Sequence, residues 1–292
     1  MCEEISKKNM EKANILSQAL PYIQKYTGKT VVIKYGGNAM INEKLKNDVI
    51  SDIVLLNYVG IKVVVVHGGG PAINDVLRKI GKKSEFIDGL RVTDEETIDV
   101  VQMVLCGKVN KDMVSLIGKK GGKAIGLSGL DAGLLKSTRI KSSEGNNLGF
   151  VGKITDVNSS LIEDCLRDGY IPVISTIAAD EKDGHAYNIN ADYAAARISI
   201  KLKAEKLILL TDVPGILKDV NDPGSLISDI KVNDIKSLKE NGIIKGGMLP
   251  KVDCCITAVN GGVSRTHIID GRISHSILLE MFSDQGVGTM IY

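Results

Sequence analysis

The chain has no tryptophan, only three phenylalanines, and 4% aromatic residues in all. Base- and sugar-stacking platforms need exposed rings, so binding here must be mainly polar. Net charge is nearly absent as well: 37 Lys plus Arg against 35 Asp plus Glu leave a formal +2. That sets up no global field toward nucleic acid or an anionic membrane, and neither partner is expected. No apolar run approaches the about 18 residues that would read as a membrane span. The amino-terminal MCEEISKKNMEK carries charges where a signal peptide needs an apolar core, so a cytoplasmic protein is expected. Five cysteines, Cys2, Cys106, Cys165, Cys254 and Cys255, form no C-x-x-C spacing and read as reduced thiols. The four histidines show no metal-ligand pairing, and no Ser-His-Asp arrangement is spaced for catalysis.

What is present is a 292-residue chain with 43% apolar and 25% charged residues, enough for one large α/β unit or two closely joined lobes. Its most informative stretch is Val31 to Ala39, VVIKYGGNA. A β-branched run ends in Lys34 and breaks into Gly36-Gly37, a turn whose backbone N–H groups can approach an anion. The pattern returns as VVVVHGGGP from Val63 to Pro71. Leu45, Val49, Ile53 and Leu56 mark a helix between the two runs, which makes a βαβ unit. Pro71 suits the first turn of the next helix, with Ile73, Val76, Leu77 and Ile80 inward, and a glycine loop feeding a helix start is an anion site. Neither loop is a dinucleotide fingerprint, because Ile73 stands where the last glycine belongs. Thr27-Gly28-Lys29-Thr30 imitates the end of a Walker A loop but precedes a strand, with Ile23 in place of its first glycine.

Before Lys29, Ala13, Leu16, Leu20 and Ile23 form a helical apolar stripe that must dock on its own domain or on a partner subunit, with Pro21 expected to kink or restart the helix. Thr93 and Glu96 predict a capping box for a helix through Cys106, and a second helix covers Asn110 to Lys119. Arg91, just before that cap, is placed to clamp a carboxylate. Strands are read at Ala124 to Ser128, Gly149 to Asp156, Tyr170 to Ser175, Lys206 to Leu210 and His267 to Asp270, with a last one from Gly288 to Tyr292 at a sheet edge. Helices are read at Leu161 to Arg167, Val232 to Asn241 and Ile273 to Phe282, and Lys141 to Asn147 is an exposed hairpin tip. Tyr187 to Asp192 opens an alanine-rich helix with more Asn and Asp than one cap requires. Thr211 to Gly215 is a polar turn at a strand end, and Gly246-Gly247 with Lys251 opens another helix.

Taken singly, each lysine reads as a surface charge on a packed stem. Together, Lys34, Lys251 and Asp192 among glycine turns, with no nucleophile, suit charge neutralisation in phosphoryl transfer. Asp192 would either hold both ammonium groups or help organise a metal-nucleotide.

From Lys29 onward the chain resembles the amino acid kinase family. The resemblance rests on KYGGNA, HGGGP, GLRVT, YNINAD, TDVPG, GGM with Lys251, and HIIDGR, in family order. It implies an open αβα sandwich with a mainly parallel central sheet. Within the family the chain is most similar to members that move the γ-phosphoryl group of ATP, carried with Mg2+, to the side-chain carboxylate of N-acetyl-L-glutamate in arginine biosynthesis. By that resemblance Lys34 and Lys251 stabilise the transferring group and Asp192 orients them. Gly69, Gly70, Arg91 and Asn188 bind the acceptor, and Gly36, Gly37, Asp212, Gly215, Gly247 and Met248 attend the phosphates and nucleotide, with no direct protein ligand to the metal. Residues 27–178 would form the acetylglutamate lobe and 179–292 the nucleotide lobe. Residues 1–26 would join a homo-oligomer, a dimer or a hexamer, and border an inhibitory L-arginine site with Glu280 as guanidinium partner. A kinase for a related acidic substrate of the acetylaminoadipate type, or a non-catalytic ligand-binding regulator, are the alternatives.

Overall fold

The computed structural model describes residues 2–142, 144–180 and 182–292, and of residues 2–5, 8, 38 and 39 the backbone only. The Cys2 thiol and the Asn38 and Ala39 side chains thus lie outside the described residues; Cys106, Cys165, Cys254 and Cys255 are free thiols. Helix α1 (Cys2–Tyr26) leads to β1 (Thr30–Tyr35), α2 (Glu43–Tyr58), β2 (Lys62–His67) and α3 (Gly70–Lys79). A hairpin of β3 (Phe86–Ile87) and β4 (Leu90–Arg91) precedes α4 (Glu95–Gln102), a π-helical stretch Met103–Val109 and α5 (Asn110–Lys119). Next come β5 (Ala124–Ser128), β6 (Leu135–Lys141), β7 (Asn147–Val157), α6 (Ser160–Arg167), β8 (Ile171–Ser175), β9 (Ile177–Asp180) and β10 (Ala186–Ile189). The chain closes with α7 (Ala191–Lys201), β11 (Lys206–Thr211), β12 (Asp229–Ile230), α8 (Ile235–Glu240), α9 (Met248–Asn260), β13 (Arg265–Asp270), α10 (Ser276–Phe282) and β14 (Thr289–Ile291).

The central sheet runs β12-β14-β13-β11-β1-β2-β8-β5. From β13 to β5 every neighbouring pair is parallel, and only β14 turns antiparallel against β13. Side chains alternate between the faces of a strand. Val32, Val64 and Leu209 therefore enter the core beneath α6, α7 and α9, while Val31, Ile33, Val63 and Ile208 enter the one beneath α2, α3 and α5. Apolar runs without polar alternation are what a sheet covered on both faces demands. The open αβα sandwich with a mainly parallel sheet is the observed architecture.

Several local expectations are corrected. α1 passes Pro21 without a break; its outer surface faces solvent, where water can take the carbonyl that proline leaves unpaired. Asp94, not Thr93, caps α4, accepting from Thr97 N at 2.9 Å, and Glu96 pairs with Lys82 instead. The α4 helix does not stop at Cys106 but widens into the π-helical stretch and runs on into α5. Ile80 is exposed. The final strand lies one place inside the sheet edge, shielded by the two-residue β12. The strands β6, β9 and β10 were not legible in the sequence; with β7 they close a small four-stranded barrel, and the β6–β7 hairpin carries the anticipated polar tip. Gly28, with φ of +77°, makes the turn between α1 and β1, the use that remains once a phosphate loop is excluded.

Candidate active site

Parallel β1, β2 and β11 end side by side, so the turns that follow them share one edge of the sheet, the edge where open α/β sheets bind ligands. Lys34 is the last residue but one of β1, in register with Val66 of β2 and Leu209 of β11. Asp192 sits in the first turn of α7, whose cap is Asn190, accepting from Tyr193 N. Lys251 belongs to the first turn of α9. Lys34 Nζ stands 2.9 Å from Asp192 Oδ1 and Lys251 Nζ 2.8 Å from Oδ2. Burial pushes the Asp192 carboxyl up, but the two ammonium groups outweigh it and hold the carboxyl at about 2. The carboxylate is thereby fixed as an anion whose oxygens are both taken by lysines, and the two positive charges lie side by side at a cavity wall.

That cavity encloses about 500 Å³ and is lined by Lys34, Gly37, Asp212 through Leu217, Lys245, Gly247, Met248 and Lys251 among others. A Cβ on Gly36 would sit 2.9 Å from Lys34 Nζ, so a side chain there would push the lysine from its place over the turn. Gly37 has φ of +72°, and Gly215 has φ of +140° with Thr289 Oγ1 2.6 Å from where a Cβ would be. Lys245 was missed in the sequence, although its place next to Gly246-Gly247 was a usable signal.

A smaller cavity of about 170 Å³ lies on the other side of the α7 start, between the HGGG turn, the β3–β4 hairpin and β10. Gly69, Gly70, Arg91 and Asn188 all line it. Arg91 is buried; it donates from Nη1 to Ser84 Oγ at 2.6 Å and from Nη2 to Gly70 O at 3.4 Å, over the Phe86 ring at 4.7 Å. Burial lowers its pKa, and no carboxylate among the described residues forms an ion pair with it. Asn188 Nδ2 donates to Thr93 Oγ1 at 3.4 Å, which donates to Arg91 O at 2.7 Å. Ser84 in turn donates to Asn74 Oδ1 at 2.9 Å. Asn74, Ser84 and Thr93 hold the acceptor-side groups, and nothing in their spacing announced it. Each cavity draws on both halves of the chain: Lys34 and Gly37 face the larger, Asn188 the smaller.

Glu280 lies apart, bordering a third cavity of about 570 Å³ with Tyr22, Lys25 and Tyr26 of α1 and Lys206 and Arg265. Its carboxylate is engaged internally, 2.6 Å from His267 Nδ1 and accepting from Val287 N at 2.9 Å. Lys206 sits over the Tyr26 ring, and burial pushes its ammonium down to about 8.

Residues 29–270 match the model of the Amino acid kinase family. The acetylglutamate kinase of Clostridium beijerinckii is 58% identical over 282 residues, covering 97% of this chain and 98% of that protein. That of Heliobacterium modesticaldum is 55% identical over 292 residues, covering 97% and 99%. Among solved structures, N-acetylglutamate synthase from Neisseria gonorrhoeae complexed with coenzyme A and N-acetyl-glutamate superposes with a TM-score of 0.83 at 26% identity, over 96% of this chain and 63% of that one. The carbamate kinase of Giardia, at 17% identity and a TM-score of 0.64 over 90% of this chain and 98% of that one, shares the fold.

Proposed function

The chain belongs to the amino acid kinase family, and on that premise we propose that it transfers the γ-phosphoryl group of ATP to the side-chain carboxylate of N-acetyl-L-glutamate, giving N-acetyl-L-glutamyl 5-phosphate for arginine biosynthesis. The observation that carries the chemistry is the Lys34–Asp192–Lys251 arrangement, with both lysines on the wall of the larger cavity. Negative charge gathers on the transferring group, and two preorganised ammonium groups offset it where water is scarce. ATP occupies the larger cavity and acetylglutamate the smaller, its α-carboxylate on the Arg91 fork and its amide near Asn188. Gly37 and Gly69 bring N–H groups to the donor and acceptor sides.

Magnesium fits as a passenger on the triphosphate. Asp192 is occupied by two lysines, and no group of three or more His, Cys, Asp or Glu among the described residues could hold a metal. Magnesium commonly keeps several waters and is held largely by the phosphates, and Asp212 lies on the wall of the larger cavity where the triphosphate would run. When bound, the ion would neutralise phosphate charge.

Residues 27–178 supply most of the acceptor side and 179–292 most of the nucleotide side. The exposed Leu16 and Leu20 on α1 support assembly of a homo-oligomer through this helix, and the cavity between α1 and Glu280 suits L-arginine as an inhibitor. ATP with acetylglutamate in the presence of hydroxylamine should yield the acyl hydroxamate, with glutamate, aspartate and acetylaminoadipate as comparators. No hydroxamate from any of them sinks the kinase reading, and a preference for acetylaminoadipate reassigns the substrate.

A further inference from the structure

His67 ends β2 and is fully buried, and Asn110 opens α5 directly after the π-helical stretch, buried as well. Asn110 Nδ2 lies 3.2 Å from Leu127 O, 2.8 Å from Val173 O and 3.1 Å from His67 Nε2. Carbonyl oxygens only accept, so the amide nitrogen must face them. The choice is costly, for Asn110 Oδ1 is left buried without a hydrogen-bond partner among the described residues, and it shows which demand prevails. The two amide hydrogens are shared among these three neighbours, and because an amide nitrogen does not accept, an Nε2–H would meet it donor to donor; Nε2 therefore carries a lone pair. Burial pushes the His67 pKa down to about 4, so the ring is neutral at pH 7 and its single proton sits on Nδ1. That atom is 2.9 Å from Gly68 O and donates to it.

The peptide between Gly68 and Gly69 is planar and trans, so its C=O and N–H point in opposite directions. Fixing the Gly68 carbonyl toward the ring therefore fixes the Gly69 N–H away from it. Gly68 N donates to Tyr35 O at 3.0 Å, which pins the turn from the β1 side too. A Cβ on Gly69 would sit 2.5 Å from Leu105 Cδ2 of the π-helical stretch, so the turn also packs closely on that stretch. No acceptor among the described residues takes the Gly69 N–H, and Gly69 lines the smaller cavity with Arg91 and Asn188.

We infer that His67 and Asn110 form a positioning pair: three carbonyls and one amide lock the imidazole tautomer, and that tautomer aims the Gly69 N–H at the acceptor carboxylate. This rests on the kinase reading for its substrate, but its core is a statement about one proton.

Two arms test it. In the wild-type protein labelled with 15N-histidine, the ring of His67 should show the Nδ1–H tautomer. The signal is assigned by its loss in His67→Asn or, if that variant does not fold, by subtraction with His185→Gln, His267→Gln and His275→Gln. Kinetically, asparagine at 67 can place an amide N–H where Nδ1 stands, whereas the carboxamide of glutamine reaches to where Nε2 stands and leaves the Nδ1 position without a donor. His67→Gln should lower kcat/KM for acetylglutamate by roughly 10-fold or more, below the full loss of an oxyanion donor, while KM for ATP stays within about 2-fold; His67→Asn should recover most of the loss. A proton on Nε2, or equal impairment of the two variants, overturns the pair. Absence of acetylglutamate phosphorylation in the wild type would instead sink the substrate assignment, leaving the tautomer measurement to judge the geometry.

Discussion

A Cβ on Gly37 would lie 2.8 Å from both carboxylate oxygens of Asp212, so the turn after β1 and the end of β11 meet with no room for a side chain. Gly37 also has φ of +72°. Gly37→Ala therefore adds a left-handed strain of about 1–2 kcal/mol and displaces the Asp212 carboxylate, which lines the nucleotide cavity. Displacements of this size at a reacting centre cost up to roughly 10²-fold, so kcat/KM for ATP should drop by about that factor while Tm falls only a few degrees. Unchanged nucleotide kinetics would show that Asp212 moves aside freely.

Lys34→Ala removes one of two ammonium groups from the phosphoryl position and leaves Asp192 with Lys251 alone. By comparison with single donors to developing charge, kcat should fall roughly 10²–10³-fold or more, with KM for either substrate changing far less. Lys251→Ala should behave alike. A drop in kcat of only a few-fold, measured by hydroxamate formation, would return the site to simple ligand binding.

Arg91→Lys keeps the charge but loses the fork, and Ser84→Ala removes the acceptor at 2.6 Å that orients it. The first should raise KM for acetylglutamate at least about 10-fold, because a bidentate guanidinium is not replaced by a point charge. The second should raise it by a few-fold with kcat nearly unchanged. Should both variants bind acetylglutamate normally, its α-carboxylate rests elsewhere.

Deleting residues 2–26 takes away α1, whose Leu16 is 72% and Leu20 50% exposed. An amphipathic helix with its stripe in water is stabilised by a partner surface. Light scattering should report a smaller assembly for the truncated chain, and arginine should lose its inhibitory effect because Tyr22, Lys25 and Tyr26 leave the Glu280 cavity. Intact mass and intact arginine sensitivity together would remove any role for α1 in assembly and regulation.

Histidine titrates ordinarily near pH 6.5, but folded His67 titrates at about 4. Between those values the unfolded chain binds the proton and the folded chain does not. Its contribution is fully present above about pH 6.5 and declines by on the order of 3 kcal/mol as the pH falls to about 4. Asp192, held at about 2 instead of 3.8, acts later: its stabilisation is present above about pH 4 and is lost toward pH 2. Buried His267, also lowered, follows His67 in sign but remains in a His67→Asn variant. Urea unfolding at pH 4.5, 5.5 and 7 should therefore show a shallower acid loss in His67→Asn than in the wild type. Parallel curves would mean the ring is not held neutral.

Two kinds of information separate cleanly here. The strands β1, β2, β8 and β11 were legible because a doubly covered sheet writes continuous apolar runs into the chain. The glycine turns after β1 and β2 were legible because a positive φ or a close approach admits little else. Lys34, Asp192 and Lys251 could be named only as a set, beside the glycine turns and the resemblance to the amino acid kinase family. Of the barrel only β7 was legible; β9 and β10 are four residues each, too short for a periodic signal, and the strands pair out of sequence order. Nor could Ser84, Thr93 and Asn110 be chosen from many similar polar residues, because a hydroxyl or an amide has no signature until its partner is known. Sequence thus determined which groups exist and where the backbone must turn, through local sterics and burial. Only the tertiary structure decided that Asp192 takes both lysines, that Arg91 is buried with no carboxylate partner among the described residues, and that His67 faces a donor. Those are contacts between elements distant in the chain, fixed by how the sheet orders its strands.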